Sequence, residues 1–256
     1  MKHAVITAGT KGLGKKVTES FLKEGYSVTV TYFSDDQAMN QRKEEWKEYS
    51  DRILFLKGNI TDKEFLKEIT TKTMKQFGRI DCLINNAGPY LFSRKKLADY
   101  SEEEWEYLLY GNLHSVFYLL KQIIPIMREQ KFGRIINYGF QGANSASGWI
   151  YRSAFSAAKV GLVSLTKTIA YEEAEHGITS NMICPGDIYG EMKEASRLDA
   201  LQKGSGNAPV GRFGTGEDIA RMVQFLCKDE SDFITGDVIE ITGGLDVIHK
   251  YRHQSL

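Results

Sequence analysis

The residues with the clearest chemical meaning form a glycine-rich turn near the start of the chain. The segment TAGTKGLG, residues 7–14, joins an apolar, strand-like run to a helical pattern. Glycines let the backbone turn tightly and approach a pyrophosphate, and the first N–H groups of a helix attract an anion. Because the turn follows the first predicted strand directly, it indicates a dinucleotide-binding site. The predicted cofactor contacts here are Gly9, Thr10, Lys11, Gly12, Leu13 and Gly14.

Two polar side chains interrupt apolar helical patterns farther along the chain. Asn112 lies in GNLHSVF, and Lys159 lies in FSAAKVGLVSL. Burying either group without a partner would be costly, so their positions favour a role in a site. The alternative is that each lies on the exposed face of an amphipathic helix.

Short apolar runs alternate with helical patterns along the whole chain, which predicts a single α/β domain over residues 1–256. The predicted strands are His3–Ala8, Ser27–Tyr32, Arg52–Lys57, Asp81–Asn85, Arg134–Tyr138, Thr179–Ile183 and Val238–Thr242. The predicted helices are Lys15–Glu24, Lys63–Gln76, Glu102–Arg128, Phe155–Glu175 and Glu217–Cys227, with a loop over Lys203–Phe213. This alternation is typical of a doubly wound parallel sheet of about seven strands with helices on both faces, a Rossmann-type fold.

Composition argues against several other classes of protein. Lys plus Arg equals Asp plus Glu at 33 each, which gives no sign of a nucleic-acid partner. Cys82, Cys184 and Cys227 form no Cys-x-x-Cys pair, and His249 and His253 have helical metal-ligand spacing only in a polar tail, so we predict no metal site. With no signal-peptide pattern and no membrane-spanning apolar stretch, we expect a cytoplasmic protein without a membrane partner.

The spacing of the turn, Gly9-x-x-Gly12-x-Gly14, resembles the Thr-Gly-x-x-x-Gly-x-Gly motif of the short-chain dehydrogenase/reductase family. Ala8 replaces the first glycine of that motif, and we expect Gly9 to make the bend instead. Further matching segments follow in order over nearly the whole chain: Asn59-Ile60-Thr61-Asp62, Asn85-Asn86-Ala87-Gly88, Asn112, Lys159, Asn181 with Pro185-Gly186, Thr235-Gly236 and Gly243-Gly244.

The resemblance implies further site residues and a function. The implied cofactor contacts are Thr31, Asn59, Ile60, Asn86, Ala87, Gly88, Lys159, Pro185, Gly186 and Ile188, and the implied catalytic residues include Asn112 and Lys159. The chain resembles the 3-oxoacyl-acyl-carrier-protein reductase branch of the family, which implies reduction of a small or acyl-carrier-bound carbonyl substrate in fatty acid biosynthesis. The two long helices resemble those that pair across subunits in the family, which implies a homodimer or homotetramer.

The sequence favours NADP over NAD. An acidic residue at the end of the second strand usually binds the ribose hydroxyls of NAD, and this strand ends Val30-Thr31-Tyr32-Phe33-Ser34 without one. We expect Asp35 and Asp36 to begin the next helix. Lys11 is placed to face a 2′-phosphate, although a solvated lysine on an exposed turn is the alternative.

The catalytic pattern of the family is incomplete in this chain. Phe155 stands where the family has its proton-donating Tyr, four residues before Lys159, and Phe140 stands at the family's Ser. Three explanations stay open. Tyr151 supplies the acid, one helical turn before Phe155, with Gln141, Ser145 or Ser147 holding the substrate oxygen; or the chain binds NADP without turnover; or it reduces a C=C or C=N bond. We expect Phe140, Trp149, Tyr151 and Phe155 to line an aromatic pocket, and Tyr138 to be a packing residue.

Overall fold

A computed structural model describes residues 1–206 and 208–248, which form one parallel sheet covered by helices. Its seven strands run in the order β3-β2-β1-β4-β5-β6-β7, and every neighbouring pair is parallel. The strands are β1 His3–Ile6, β2 Ser27–Tyr32, β3 Ile53–Lys57, β4 Cys82–Asn85, β5 Gly133–Tyr138, β6 Ile178–Pro185 and β7 Val238–Ile241. The predicted fold class is therefore confirmed.

Helices connect the strands and cover both faces of the sheet. They are α1 Gly12–Lys23, α2 Asp36–Glu45, α3 Lys63–Phe77, α4 Glu102–Leu109, α5 Ser115–Gln130, α6 Ser153–Glu173, α7 Arg197–Lys203 and α8 Gly216–Leu226. The central strands carry apolar side chains on both sides because each face of the sheet has its own hydrophobic core. The strand order reverses between β1 and β4. Sheets of this kind bind their ligands at such a switch point, in the crevice outside the carboxyl ends of the two strands.

The predicted helix Glu102–Arg128 is not a single regular helix. It consists of α4 and α5 joined by a π-helical segment, Tyr110–His114, that contains Asn112. The Asn112 side-chain amide donates to the carbonyl oxygen of Leu108 at 3.0 Å, within the widened turn. A π-helical turn changes the direction of a side chain and is often found at functional sites, so the difference itself points to Asn112.

The sequence analysis gave no bounds for two of these helices. In α2 only Met39 and Arg42 are buried, so the apolar periodicity that identifies a helix is missing. Helix α7 has only seven residues and begins with a capping box between Ser196 and Asp199, just before the predicted loop. The prediction that Asp35 and Asp36 begin a helix is confirmed, because the Asp35 carboxylate caps α2 through the Ala38 N–H at 3.0 Å.

The structure also describes the three cysteines and bears on possible metal sites and membrane-spanning helices. Cys82, Cys184 and Cys227 are all buried and free. Residues 1–206 and 208–248 contain no group of three His, Cys, Asp or Glu side chains that could hold a metal ion, while His249 and His253 lie outside the described residues. Within the same ranges, no helix combines the length and the apolar character needed to cross a bilayer.

Candidate active site

The glycine turn connects β1 to α1 at the switch point of the sheet. Ala8 itself adopts the left-handed conformation, with φ +52°, so the expectation that Gly9 makes the bend is wrong. Helix α1 begins at Gly12, and the N–H groups of Leu13 and Gly14 donate to no acceptor within the described residues, as the geometry of a first helical turn requires. A Cβ on Gly14 would lie 2.3 Å from the Ala8 carbonyl oxygen, so only glycine allows this close approach.

Side chains from neighbouring strands hold the turn in place. The Asn86 amide donates to the carbonyl oxygens of Thr7 and Ala8 at 2.9 and 3.2 Å, and the Thr7 hydroxyl accepts the Ala87 N–H at 2.9 Å. The buried Thr31 accepts the Ala8 N–H at 3.0 Å. Asn86, Ala87 and Thr31 are therefore close to the predicted cofactor site, and these four hydrogen bonds stabilise its backbone.

A carboxylate already lies against the start of α1. The Gly12 N–H donates to Glu194 Oε1 at 2.8 Å, and Lys15 Nζ lies 2.9 Å from Glu194 Oε2. Burial alone would raise the pKa of Glu194, but the Gly12 hydrogen bond and the Lys15 ammonium hold that pKa below its usual value. The turn thus binds an anion in this structure, and a cofactor pyrophosphate at Gly12 would displace it. No local sequence pattern indicates this contact, because its two residues are 182 positions apart.

The other predicted residues of the turn and of the segment after β3 lie at the carboxyl ends of β1 and β3. Lys11 is exposed and pairs with Asp35 at 3.1 Å, and Thr10 is buried. Asn59 and Ile60 follow β3, where the Asn59 side chain accepts the Thr61 N–H at 3.0 Å.

The segment after β6 carries the last predicted contacts. Pro185 ends the strand, and the Gly186 N–H donates to the Ile241 carbonyl oxygen of β7 at 2.8 Å. Ile188 is buried in a core cluster, so its side chain packs against protein in this structure. These residues lie at the carboxyl ends of β6 and β7, on the edge where open parallel sheets bind their ligands.

Asn112 and Lys159 converge on Gly88. A Cβ built on Gly88 would lie 2.3 Å from Asn112 Oδ1 and 3.7 Å from Lys159 Nζ. The Asn112 amide group donates to the Pro89 and Leu108 carbonyl oxygens, whereas its buried Oδ1 has no partner among the described residues. Neither side chain is on an exposed helix face, so that alternative is wrong for both.

Lys159 is a buried cation without a carboxylate. Its side chain is 4% exposed and makes no hydrogen bond or ion pair within residues 1–206 and 208–248. Burial lowers the pKa of Lys159 to about 8. An ammonium held this way beside an unpaired amide oxygen can donate to hydroxyl groups of a ligand, and it can stabilise negative charge that develops nearby.

Phe140, Trp149 and Phe155 form the predicted aromatic cluster, but Tyr151 does not join it. The Phe140 and Trp149 rings stack at 5.3 Å, and Phe155 lies 6.0 Å from Trp149. Tyr151 precedes α6 with φ +64°, and in the described part of the chain no ring contact joins it to Phe155. The premise that the helix starts early enough to align Tyr151 with Phe155 is therefore wrong, because α6 begins at Ser153.

The other suggested groups have different surroundings. Gln141 Oε1 accepts the Val247 N–H, and Ser145 is exposed on a short helical turn. Ser147 is half-buried beside Gly142. Tyr138 is buried in the core on the other face of the sheet from Phe140, as a packing residue would be.

Tyr90 takes the place in the aromatic cluster that we expected Tyr151 to fill. Its ring meets Phe155 edge-on at 5.1 Å, and its hydroxyl accepts a hydrogen bond from Arg152 Nε at 2.6 Å. The sequence analysis missed both residues because they are 62 positions apart. Tyr90 could have been identified as a site residue from its position, two residues after the Asn-Asn-Ala-Gly segment.

Comparison with known proteins agrees with this geometry. A family model described as enoyl-(acyl carrier protein) reductase matches residues 7–246. "Putative oxidoreductase YtkK" of Bacillus subtilis is 62% identical over 251 residues, covering 98% of each chain. The 3-oxoacyl-acyl-carrier-protein reductase FabG of Staphylococcus epidermidis is 33% identical over 245 residues, covering 95% of this chain and 98% of the relative.

A solved structure from Bacillus thuringiensis, described as a "putative 3-oxoacyl-reductase", is also similar. It is 62% identical and superposes with a TM-score of 0.92, covering 97% of this chain and all of the other. Fold, turn geometry and relatives over nearly the full length agree, and the chain belongs to the short-chain dehydrogenase/reductase family of oxidoreductases.

Proposed function

We propose that the protein is an NADP-dependent oxidoreductase that transfers a hydride between nicotinamide and a carbonyl substrate. The observation that carries the proposal is the environment of Lys159, a buried ammonium beside Gly88 and the unpaired Asn112 Oδ1. Burying an unpaired cation and an unpaired hydrogen-bond acceptor destabilises the folded protein, so their presence side by side indicates a ligand site and not ordinary core packing. Both groups suit a ligand with hydroxyl groups, such as the nicotinamide ribose.

The residues of the crevice fit a dinucleotide. The Leu13 and Gly14 N–H groups would hold the pyrophosphate, and Lys159 would hold the nicotinamide ribose, with Asn86 and Gly88 lining the space between them. The bound cofactor would supply the hydride. The chain's own residues orient it, and the aromatic side chains beside Lys159 exclude water from the reacting carbon.

The preference for NADP rests on Lys11. Its ammonium pairs with Asp35 in this structure, at a position where a 2′-phosphate would offer a stronger partner than one carboxylate. Both oxygens of the Asp35 carboxylate are already engaged, one by the Ala38 N–H as the cap of α2 and the other by Lys11.

The proposed substrate is a carbonyl compound, small or acyl-carrier-bound, as in 3-oxoacyl-acyl-carrier-protein reduction. Similarity to the FabG relative supports this class. Phe155 and Phe140 favour a second candidate, reduction of a C=C bond, because neither can donate a proton to a carbonyl oxygen; the enoyl reductase family model agrees with it. The same two residues also leave open a third possibility, a protein that binds the cofactor without turnover.

We also propose that the enzyme is a homo-oligomer and cytoplasmic.

The experiment is a paired titration followed by a substrate panel. NADPH and NADH binding would be followed by cofactor fluorescence in wild type, Lys11→Gln, and the control Lys23→Gln at the far, exposed end of α1. We expect wild type to prefer NADPH, and Lys11→Gln to weaken NADPH about tenfold with little effect on NADH. Tighter binding of NADH to wild type would contradict the cofactor assignment.

Hydride transfer would then be measured with 3-oxoacyl thioesters, simple ketones and enoyl thioesters. Oxidation of NADPH by the oxo compounds supports the proposed function. If only the enoyl compounds oxidise NADPH, the assignment shifts to C=C reduction. If the protein binds NADPH but no compound oxidises it, the proposal that the protein is an enzyme is refuted.

A further inference from the structure

The vacant role of the family's acidic tyrosine has a candidate close by in space. The Tyr90 ring packs edge-on against Phe155, with an interplanar angle of 87° and a centroid distance of 5.1 Å. Lys159 Nζ lies 5.6 Å from the centroid of the same Phe155 ring. Phe155 therefore contacts both a phenol and the ammonium that the family uses together. We propose that Tyr90, positioned by Arg152, is the proton donor of the reaction; this inference rests on the proposed carbonyl reduction.

Arg152 fixes the Tyr90 hydroxyl and leaves its proton free. Arg152 is 8% exposed and stands directly before α6. Its Nε–H donates to Tyr90 Oη at 2.6 Å, and its other nitrogens donate to the carbonyl oxygens of Tyr151, Phe92 and Ser93. Because a guanidinium only donates, Tyr90 Oη is the acceptor in this bond. The hydrogen of the phenol is therefore still available for a substrate oxygen.

The buried guanidinium also suits the product of proton transfer. Loss of its proton leaves Tyr90 as a phenolate, and a charged donor at hydrogen-bond distance stabilises an oxygen anion more than a neutral donor does. Arg152 has no carboxylate partner among the described residues, so its charge is not neutralised locally. The three carbonyl contacts hold the guanidinium in one orientation. Arg152 is thus a positioning residue for Tyr90.

The position of Tyr90 along the chain supports this role. It follows Gly88 and Pro89, where Gly88 approaches Lys159 Nζ and the Pro89 carbonyl accepts the Asn112 amide at 2.9 Å. The segment that lies against both predicted catalytic residues therefore also carries the phenol. Tyr151 is a weaker candidate, since its contribution to this network is a backbone carbonyl.

In the proposed reaction, Tyr90 donates its proton as a hydride reaches the carbonyl carbon. A hydride from the reduced nicotinamide forms a C–H bond at the carbonyl carbon as the C=O π bond breaks. The oxygen takes the proton from Tyr90 Oη, which gives an alcohol, the oxidised cofactor and a phenolate. A proton from solvent then restores the phenol. The carbonyl carbon is reduced and the nicotinamide is oxidised, with no other redox partner.

The test compares Tyr90→Phe with Tyr151→Phe, which removes the other hydroxyl of the same region. We expect Tyr90→Phe to lower kcat for carbonyl reduction about a hundredfold or more, with the NADPH Kd and the melting temperature unchanged. Tyr151→Phe should stay within about twofold of wild type. For the positioning residue, Arg152→Lys should retain more turnover than Arg152→Ala at equal NADPH affinity.

The outcomes separate this inference from the proposed function. If wild type is active and Tyr90→Phe has the same kcat for carbonyl reduction, the assignment of Tyr90 is overturned while the proposed function stands. An active wild type with loss only in Tyr151→Phe would overturn it in favour of Tyr151. A wild type that binds NADPH but reduces no carbonyl compound would refute the proposed function, and the inference with it.

Discussion

Replacing Lys159 by methionine should make the protein more stable and, at the same time, less able to bind its cofactor. Burial lowers the pKa of Lys159 from 10.5 to about 8. Each pKa unit corresponds to about 1.4 kcal/mol, so keeping the ammonium buried at neutral pH costs the folded protein about 3 kcal/mol. Methionine has a similar length and no charge, and Lys159→Met removes this cost.

The effect should depend on pH with a defined sign. Below pH 8 the lysine is protonated in the folded and unfolded states, and the full cost is present. As the pH rises from 8 to 10.5, the folded protein releases the proton while the unfolded chain keeps it, so wild type gains stability relative to the variant. The advantage of Lys159→Met should fall to half near pH ~9.25, midway between the two pKa values, and vanish above the unfolded pKa.

The assay is thermal unfolding at several pH values, with and without NADPH. For a chain of 256 residues, about 3 kcal/mol should raise the melting temperature at neutral pH by roughly 6 °C or more. NADPH should stabilise wild type and have little effect on Lys159→Met, because ligand stabilisation follows the affinity for the folded state. The exposed Lys67→Met on α3 is the control and should change neither property.

Two results would refute this reasoning. A Lys159→Met protein less stable than wild type at neutral pH would mean that the ammonium has a stabilising partner. An equal NADPH-induced rise in melting temperature in both proteins would mean that Lys159 does not contact the cofactor.

Two further predictions concern the crevice. Glu194→Gln should tighten NADPH binding about fivefold, because a neutral amide binds the Gly12 N–H less strongly than a carboxylate and is easier for a pyrophosphate to replace. Unchanged or weaker binding in a fluorescence titration would show that Glu194 does not compete with the cofactor. Phe155→Tyr places a phenol four residues before Lys159 and should restore carbonyl reduction to the inactive Tyr90→Phe protein, raising kcat at least about tenfold. A double variant as inactive as Tyr90→Phe would show that Lys159 cannot support an acid at this position.

The sequence predicted the parts of the molecule that local pattern determines. The apolar runs located all seven strands, and β2 has the predicted ends, because a strand buried on both faces must be apolar throughout. The β1–α1 turn was found because its glycines are close together along the chain. Asn112 and Lys159 could be recognised from the sequence alone, because each is a polar residue within an apolar helical pattern.

The missed features depend on contacts between distant segments. Glu194 reaches Gly12 across 182 positions, and Arg152 reaches Tyr90 across 62. Tyr151 could share a helix face with Phe155 only in a helix that includes both residues, and α6 begins at Ser153, two residues after the left-handed Tyr151. The π-helical turn at Asn112 was missed for a related reason, since α4 and α5 together keep a helical apolar pattern.

A crystal structure with NADPH bound would test the proposed cofactor site most directly. We predict the pyrophosphate on the Leu13 and Gly14 N–H groups with Glu194 displaced, and the nicotinamide ribose within hydrogen-bond distance of Lys159 Nζ. A cofactor bound elsewhere, or Lys159 left without a contact to it in a fully occupied complex, would contradict the central claim.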